Sequence, residues 1–266
     1  MENERLKIGI YGLGLIGGSL LKVLHKLNKY ILIGVSKSSF KKAEQFCDIA
    51  GYDINLLSDC DVVFVCSKMK DTKNILQQLN NIVKKETVVS DVCSIKGFLK
   101  GEYNFNYVPT HPMAGIEKNG FENSFPELFI GAKWIICKKS DIMEKIIKDT
   151  GAVPLYLNEK EHDNLTAEIS HFPALMSLAL FSIADNEAKK IASSGFRDTT
   201  RLAMTDKDLI FDMKNLNREN IIKTYNKFTE EFNRIMNMSE EEFKDFSFQN
   251  SKKRSTMYDN SGKNIL

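Results

Sequence analysis

The chain has 266 residues, 42% of them hydrophobic and 27% charged, which is typical of a globular protein with one large or two modest domains. Its 37 basic and 35 acidic residues are mixed along the chain and leave a net charge of +2, which argues against nucleic acid or an anionic membrane as a partner. Five cysteines without a CxxC pair argue against a disulfide framework and a zinc ribbon. With no signal core and no apolar run of bilayer length, we expect a cytoplasmic protein. The spacing of its cysteines and of His162 and His171 does not support a metal site.

Apolar runs alternate with helical patterns over the first hundred residues. Strands are predicted at 7–11, 30–35, 62–66 and 87–91, with helices at 18–27, 40–49 and 72–83 between them. This alternation predicts the α/β class, a Rossmann-like doubly wound parallel sheet covered by helices.

The pattern changes in the second half of the chain. Apolar runs at 107–109, 133–137 and 153–157, with a helix near 141–149, are expected to extend the same sheet, whereas beyond about 160 the helical patterns 165–184 and 218–236 predict an all-helical second domain. The predicted organisation is therefore a first domain over 1–158, a helical domain over 159–248, and a flexible polar tail over 249–266.

A glycine-rich loop, GLGLIG, lies between the first strand and the first helix. Gly12 permits the turn, Gly14 lets the backbone approach a pyrophosphate, and Gly17 allows the helix to pack closely on the strand. The motif alone is weak, but its place between strand and helix favours a dinucleotide site over a structural glycine turn. The predicted cofactor contacts in this loop and after the 62–66 strand are Gly12, Gly14, Leu15, Ile16, Gly17, Cys66 and Ser67.

The second strand ends at Ser36, where NAD-binding proteins carry an acidic residue for the ribose. The hydroxyls of Ser36 and Ser38 and the charge of Lys37 suit a 2′-phosphate instead. The sequence therefore favours NADP over NAD, and an exposed polar loop is the alternative.

One histidine stands in an unusually constrained segment, VPTHPMAG at 108–115. Prolines on both sides of His111 restrict its backbone, and Gly115 permits a turn, so the imidazole is held in one place. Histidine titrates near neutral pH and can accept a proton. Next to a hydride acceptor, such a base indicates oxidation of an alcohol.

Three further segments carry polar groups that the strand and helix patterns do not explain: DVCSIKG at 91–97, SHFP at 170–173 and GFRDTTRLA at 195–203. Together with GLGLIGGS and HPMAG, and in this order over nearly the whole chain, they resemble the prephenate dehydrogenase family. The resemblance implies an NAD(P)-dependent oxidative decarboxylation in tyrosine biosynthesis, acting on prephenate or on its amino analogue arogenate. The substrate's ring carbon surrenders hydride while His111 accepts the hydroxyl proton.

The same resemblance implies roles for three more side chains. Ser94 would bond the substrate hydroxyl, although a helix cap at Lys96 is the alternative. Arg201 would grip a substrate carboxylate, and Arg197, four residues earlier on the same helix face, would either share this task or pair with Asp198.

The remaining family positions are more ambiguous. His171 is either a substrate contact or a packing histidine, and the second histidine common in the family is Ala174 here. The pair His162 and Asp163 is expected to form a helix start or an interdomain bond rather than a catalytic dyad. Glu117 either faces solvent or pairs with the ammonium of arogenate.

The resemblance also implies a homodimer formed through the helical domain. Two other readings remain open. A β-hydroxyacid dehydrogenase or a pyrroline carboxylate reductase would share the two-domain plan but would lack the HPMAG histidine. A nucleotide-sensing protein without turnover would not need a base, a serine donor and an arginine together.

Overall fold

A computed structural model describes residues 5–116 and 118–258. The described residues contain nine strands: β1 Lys7–Tyr11, β2 Ile31–Val35, β3 Ile49–Gly51, β4 Val62–Val65, β5 Val88–Asp91, β6 Asn106–Tyr107, β7 Thr110–Pro112, β8 Lys133–Ile136 and β9 Val153–Tyr156. The helices are α1 Leu15–Leu27, α2 Phe40–Ala43, α3 Met69–Leu79, α4 Asp141–Asp149, α5 Glu159–Thr166, α6 Phe172–Ile183, α7 Asn186–Lys190, α8 Ser194–Thr199, α9 Lys207–Leu216, α10 Arg218–Met236 and α11 Glu240–Met257.

Six strands form one parallel sheet in the order β3-β2-β1-β4-β5-β6. The chain moves outward from β1 in one direction and from β4 in the other, so the strand order reverses between these two neighbours. Parallel strands buried on both faces explain the nearly continuous apolar runs. The doubly wound prediction is confirmed, and the reversal point is where such sheets bind ligands.

The sheet is covered on both sides. Its first face packs against α1, α4 and a second sheet, and its opposite face packs against α3. Residues buried in these two clusters include Ile10, Leu20, Phe64, Trp134 and Ile146 on the first face, and Val63, Leu76, Leu79 and Leu99 on the second.

Two details of the sheet prediction are wrong. The runs at 133–137 and 153–157 do not extend the first sheet, because β7, β8 and β9 form a separate three-stranded sheet. Pro109 has no amide to donate, and its carbonyl accepts from the Cys137 amide, which joins β7 to β8. The helix expected over 40–49 ends early, and β3 follows it, paired with β2.

The second domain is helical, as predicted. Arg218–Met236 is the helix expected there. The helix expected over 165–184 is instead α5, a wider π turn at 167–171, and α6, which follow one another without a break. By length and composition alone this segment, Glu159–Ile183, could cross a membrane. One face of this segment packs inside the chain, since the buried side chains of His162, Asp163 and His171 hydrogen-bond to other elements, which argues against a membrane span.

The flexible tail expected from 249 is wrong for residues 249–257, which are helical in α11. Ser239 and Glu242 form a capping box at its start, and the Lys244–Glu240 pair supports its first turns. The rest of the expected tail, 259–266, lies outside the described residues.

A side-chain bond ties the residue before β2 to the end of α4, far from the reversal point. The hydroxyl of Tyr30, a residue that is 5% exposed, donates to the Asp149 carboxylate at 2.6 Å. Tyr30→Phe removes this bond to a charged acceptor and should lower the free energy of unfolding by about 1 to 3 kcal/mol in urea titrations. Tyr52→Phe is the control, since Tyr52 is 70% exposed. Equal stability of the two variants would contradict the prediction.

Candidate active site

A cavity of about 480 Å³ opens at the reversal point of the sheet. Its walls come from the glycine loop, from the ends of β4 and β5, from the strand of His111, and from α9 of the helical domain. Seven residues predicted for the site line it: Gly14, Leu15, Ile16, Cys66, Ser67, Ser94 and His111. The opposite wall adds Asp206, Asp208 and Asp212, which the sequence analysis did not single out.

The glycine loop has the geometry that a dinucleotide needs. Gly12 has a φ of +92°, and a Cβ there would press on the Cys66 backbone. A Cβ at Gly17 would collide with the Gly12 carbonyl oxygen, so glycine is required where α1 meets β1. Gly14, at the start of α1, has open space in front of it. The loop therefore leaves room for a pyrophosphate at the positive end of α1.

The loop after β2 lies beside this cavity but does not line it. The Ser36 hydroxyl accepts from the Ser39 amide at 3.2 Å, and Lys37 and Ser38 are exposed. Nearby, Lys42 is paired with Glu122. The exposed Ser38 hydroxyl and Lys37 ammonium could donate to an anion without breaking a buried contact, whereas Ser36 is buried.

His111 is held by a chain of hydrogen bonds from the helical domain. Its Nδ1 lies 2.9 Å from Nε2 of His162, whose Nδ1 lies 2.8 Å from a carboxylate oxygen of Asp163. The carboxylate can only accept, so His162 donates from Nδ1 and accepts at Nε2. His111 then donates from Nδ1, which leaves its Nε2 as a proton acceptor.

Asp163 ends this series of hydrogen bonds and joins the helical domain to the first domain. Its carboxylate accepts from the amides of Lys96 and Gly97, each at 2.7 Å. Although burial opposes it, the bonds from His162 and these amides lower the pKa of Asp163. The interdomain bond expected for the His162–Asp163 pair is present. The contact of His162 with His111 was not foreseen.

Electrostatics favour the neutral form of His111. Burial, followed by the neighbouring His162, Lys96 and His171, lowers its pKa well below the ordinary value. A neutral imidazole with a free lone pair can act as a general base at neutral pH.

Ser94 lies on the same cavity wall, and its hydroxyl donates to the sulfur of Met69 at 3.7 Å. The alternative of a helix cap is wrong, because the short turn Gly97–Leu99 has no side-chain cap. A weak sulfur acceptor is easily exchanged for a substrate oxygen.

His171 is not on the cavity wall of the described residues. It is fully buried, and its Nδ1 lies 3.0 Å from the side-chain amide of Asn217, which also donates to the Asp163 carbonyl. Nε2 of His171 is buried without a hydrogen-bond partner. The packing interpretation of this histidine is the one the contacts favour.

The two arginines line a different, open depression of about 780 Å³ in the helical domain. They do not share one helix, because α8 ends at Thr199 and Arg201 begins a separate turn. Arg197 is exposed and pairs with Asp198, one of the two roles expected for it. Glu117 lies outside the described residues. Within the described part of the chain, no three His, Cys, Asp or Glu side chains are arranged to hold a metal ion.

A doubly wound sheet with a glycine loop, a helical domain across the cleft and a neutral histidine between them define a nucleotide-dependent dehydrogenase. Comparison with known families makes this more specific. Residues 19–153 match the nucleotide-binding domain of prephenate dehydrogenase, and residues 158–251 match its dimerization domain. The chain belongs to the prephenate dehydrogenase family.

Individual relatives agree with this assignment. A prephenate dehydrogenase of Lactococcus lactis is 27% identical over 218 residues, which cover 75% of this chain and 62% of that protein. Synechocystis arogenate dehydrogenase has a crystal structure that is 27% identical, with a TM-score of 0.82 over 94% of this chain and 99% of the other. The prephenate dehydrogenase of Aquifex aeolicus, in complex with hydroxyphenyl propionate and NAD+, is 26% identical, with a TM-score of 0.84 over 96% and 99%.

Burial of the histidines should make the fold sensitive to acid. In the folded protein, burial lowers the pKa of His171 from 6.5 to about 4. Between these values the unfolded chain binds a proton that the folded chain excludes. The free energy of unfolding should therefore fall as the pH drops from 6.5 to 4, by about 3 kcal/mol from this residue alone.

His171→Gln should flatten this pH dependence in urea unfolding between pH 7 and pH 4, since glutamine cannot be protonated in this range. His25→Gln is the matched control, because His25 is an exposed histidine on α1. If the His171 variant lost stability with acid as steeply as the His25 variant, the buried histidine would not be responsible.

Proposed function

We propose that this chain is a prephenate dehydrogenase that oxidatively decarboxylates prephenate to 4-hydroxyphenylpyruvate with NAD(P). One observation carries the proposal. The hydrogen bonds from Asp163 through His162 leave Nε2 of His111 as a proton acceptor, and His111 lines the same cavity as Gly14. A non-catalytic nucleotide sensor has no use for such a base.

The residues divide the reaction between them. The cofactor, held by the Gly12–Gly17 loop, supplies the hydride acceptor when it is bound. Ser94 binds and orients the ring hydroxyl of the substrate, and His111 takes the hydroxyl proton as the ring carbon loses hydride. The carboxylate leaves as carbon dioxide, and its bonding electrons make the ring aromatic. The His111 proton then returns to the resulting phenolate oxygen.

Arogenate is the alternative substrate, since a Synechocystis relative carries that name. Arogenate has an ammonium where prephenate has a keto oxygen, so acidic groups at the cavity would favour it. Asp206, Asp208 and Asp212 lie on the cavity wall, but Asp208 is neutralised by Lys68 and Lys70. This pairing offsets one of the three charges, and prephenate is proposed as the main substrate, with Glu117 as the proposed contact for the arogenate ammonium. Arg201 stays a proposed substrate contact and Arg197 a weaker one, whereas His171, which is fully buried and bonded to Asn217, is proposed to support the packing beside the site.

We further propose NADP as the preferred cofactor. The loop from Ser36 to Ser38 offers two hydroxyls and the Lys37 ammonium and lacks the carboxylate that binds the ribose of NAD. The Aquifex aeolicus structure contains NAD+, so the preference within this fold depends on local residues.

The protein is proposed to act as a cytoplasmic homodimer joined through residues 159–248. The helical domain leaves large apolar side chains uncovered, which supports a second copy as their cover. Those exposed by more than half include Ile169, Ile183, Ile191, Met204, Phe211, Tyr225, Phe232 and Met236. All five cysteines are free thiols, which suits a reducing compartment.

His111→Ala should lower kcat for prephenate by about 10²- to 10⁴-fold, because it removes the general base. NADP binding, measured by calorimetry, should be unchanged. The unmodified protein is assayed in parallel with prephenate and arogenate, each with NADP and NAD, and His25→Ala serves as the control. An unmodified protein that binds NADP but turns over neither substrate would refute the proposed activity.

Ser36→Asp should shift cofactor preference toward NAD. The new carboxylate can accept from the ribose hydroxyls and repels a 2′-phosphate, so the ratio of kcat/KM for NADP over NAD should fall by about tenfold or more, roughly 1.4 kcal/mol. Ser58→Asp adds the same charge at an exposed position before β4 and should leave the ratio unchanged. A strong NAD preference of the unmodified protein would already exclude the phosphate interpretation.

A further inference from the structure

Two fully buried charges lie behind the strand of His111. Asp91 ends β5, Lys96 follows five residues later, and their side chains form an ion pair with no exposed surface. The Asp91 carboxylate also accepts from the Tyr107 hydroxyl at 2.7 Å and from the Cys93 amide at 2.8 Å. Burying two charges costs several kcal/mol per ion before pairing, so stability alone is a weak reason for this pair.

Lys96 is connected to His111 at both ends. Its ammonium donates at 2.5 Å to the carbonyl oxygen of Thr110, the residue before His111. Its main-chain amide donates at 2.7 Å to the carboxylate of Asp163, which orders His162 and, through it, the imidazole of His111. Lys96 therefore holds the backbone next to His111 and also the hydrogen bonds that orient the His111 imidazole.

We propose that Lys96 is a positioning residue for the reaction, which fixes the backbone and the ring orientation of His111 without touching the substrate. The part of this proposal that concerns turnover rests on the proposed function. The part that concerns the imidazole does not, because the state of His111 can be measured without substrate.

The charge of Lys96 supports this role. After burial and His162, it is among the causes that lower the pKa of His111. The other titratable groups around this ring are His162 of α5, His171 of the π turn, the carboxylates behind it and those across the cavity: Asp91, Asp163, Asp206, Asp208 and Asp212. Loss of the ammonium should therefore raise the pKa of His111, whereas a merely structural ion pair would change stability alone.

Lys96→Met tests this with two readouts. In NMR titrations of histidine-labelled protein, the His111 resonance, assigned by its loss in His111→Ala, should titrate at higher pH than in the unmodified protein. The acid limb of the kcat pH profile should move in the same direction, because His111 must be neutral to act. At its optimum pH, kcat should fall about 10- to 100-fold, and the NADP Kd should stay within twofold.

Asp91 loses its partner in this variant, so Asp91→Asn/Lys96→Met is made as well. The double variant has no unpaired buried charge, yet its Thr110 carbonyl still lacks the lysine donor, so the loss of kcat should persist. Tyr30→Phe controls for lost stability, since it breaks a bond of the same domain away from His111, and its pH profile should not move.

Several outcomes would overturn the proposal. An unmoved His111 titration in a folded Lys96→Met protein would do so, and so would wild-type kcat in the double variant. A shift of the pH profile in Tyr30→Phe equal to that in Lys96→Met would assign the effect to stability. If the unmodified protein turned over neither substrate, the proposed function would fail, and the NMR titration alone would decide the role of Lys96.

Discussion

The Asp163 carboxylate is the interaction on which the arrangement of the site depends. It belongs to the helical domain, yet it accepts the amides of Lys96 and Gly97 from the loop after β5 and the imidazole of His162. Since a carboxylate can only accept, it fixes the tautomer of His162 and so the donor and acceptor nitrogens of His111. Without it, His162 could donate to His111 instead, and Nε2 of His111 would no longer be the required acceptor.

The two sheets fix the backbone on either side of the cleft, which the hydrogen bonds of Asp163 do not do. The reversal of strand order between β1 and β4 opens the crevice, and the glycine loop lines it. His111 sits on the middle residue of β7, opposite Ile135 of β8, with prolines at 109 and 112. Antiparallel pairing holds the strand, and the prolines restrict it, so the imidazole can turn only about its own side-chain bonds. Its ring then needs one oriented partner, which His162 provides.

Local patterns in the sequence predicted the parts of the fold that are themselves local. Alternating apolar runs gave the doubly wound sheet, and the periodic stretches at 141–149 and 218–236 are helices with those bounds. We did not predict that β8 belongs to a second sheet, because an apolar run of four residues does not indicate which strand it pairs with. The helix α11 was not predicted, although the Ser239 and Glu242 capping signal at its start was visible in the sequence.

The candidate site divides in the same way. Residues within one motif, such as Gly14 or Ser94, could be assigned to the cavity because strand ends meet at one edge of a parallel sheet. The contact of His111 with His162 joins positions 51 residues apart, and only the packing of α5 against the β5 loop creates it. Both arginines line another depression, which the sequence could not show, because the packing of the helices decides which face of the helical domain meets the cavity.

The burial that keeps His111 neutral also lowers the stability of the protein in acid. A general base for neutral pH must stay unprotonated, and removing water from the imidazole achieves this, with help from the cation of Lys96. The same desolvation applies to His171, so acid favours the unfolded chain, where histidines are free to bind protons. A more exposed histidine would relieve the acid sensitivity but would be partly protonated near neutral pH. Burial around the site therefore links lower stability in acid to an imidazole that is unprotonated near neutral pH.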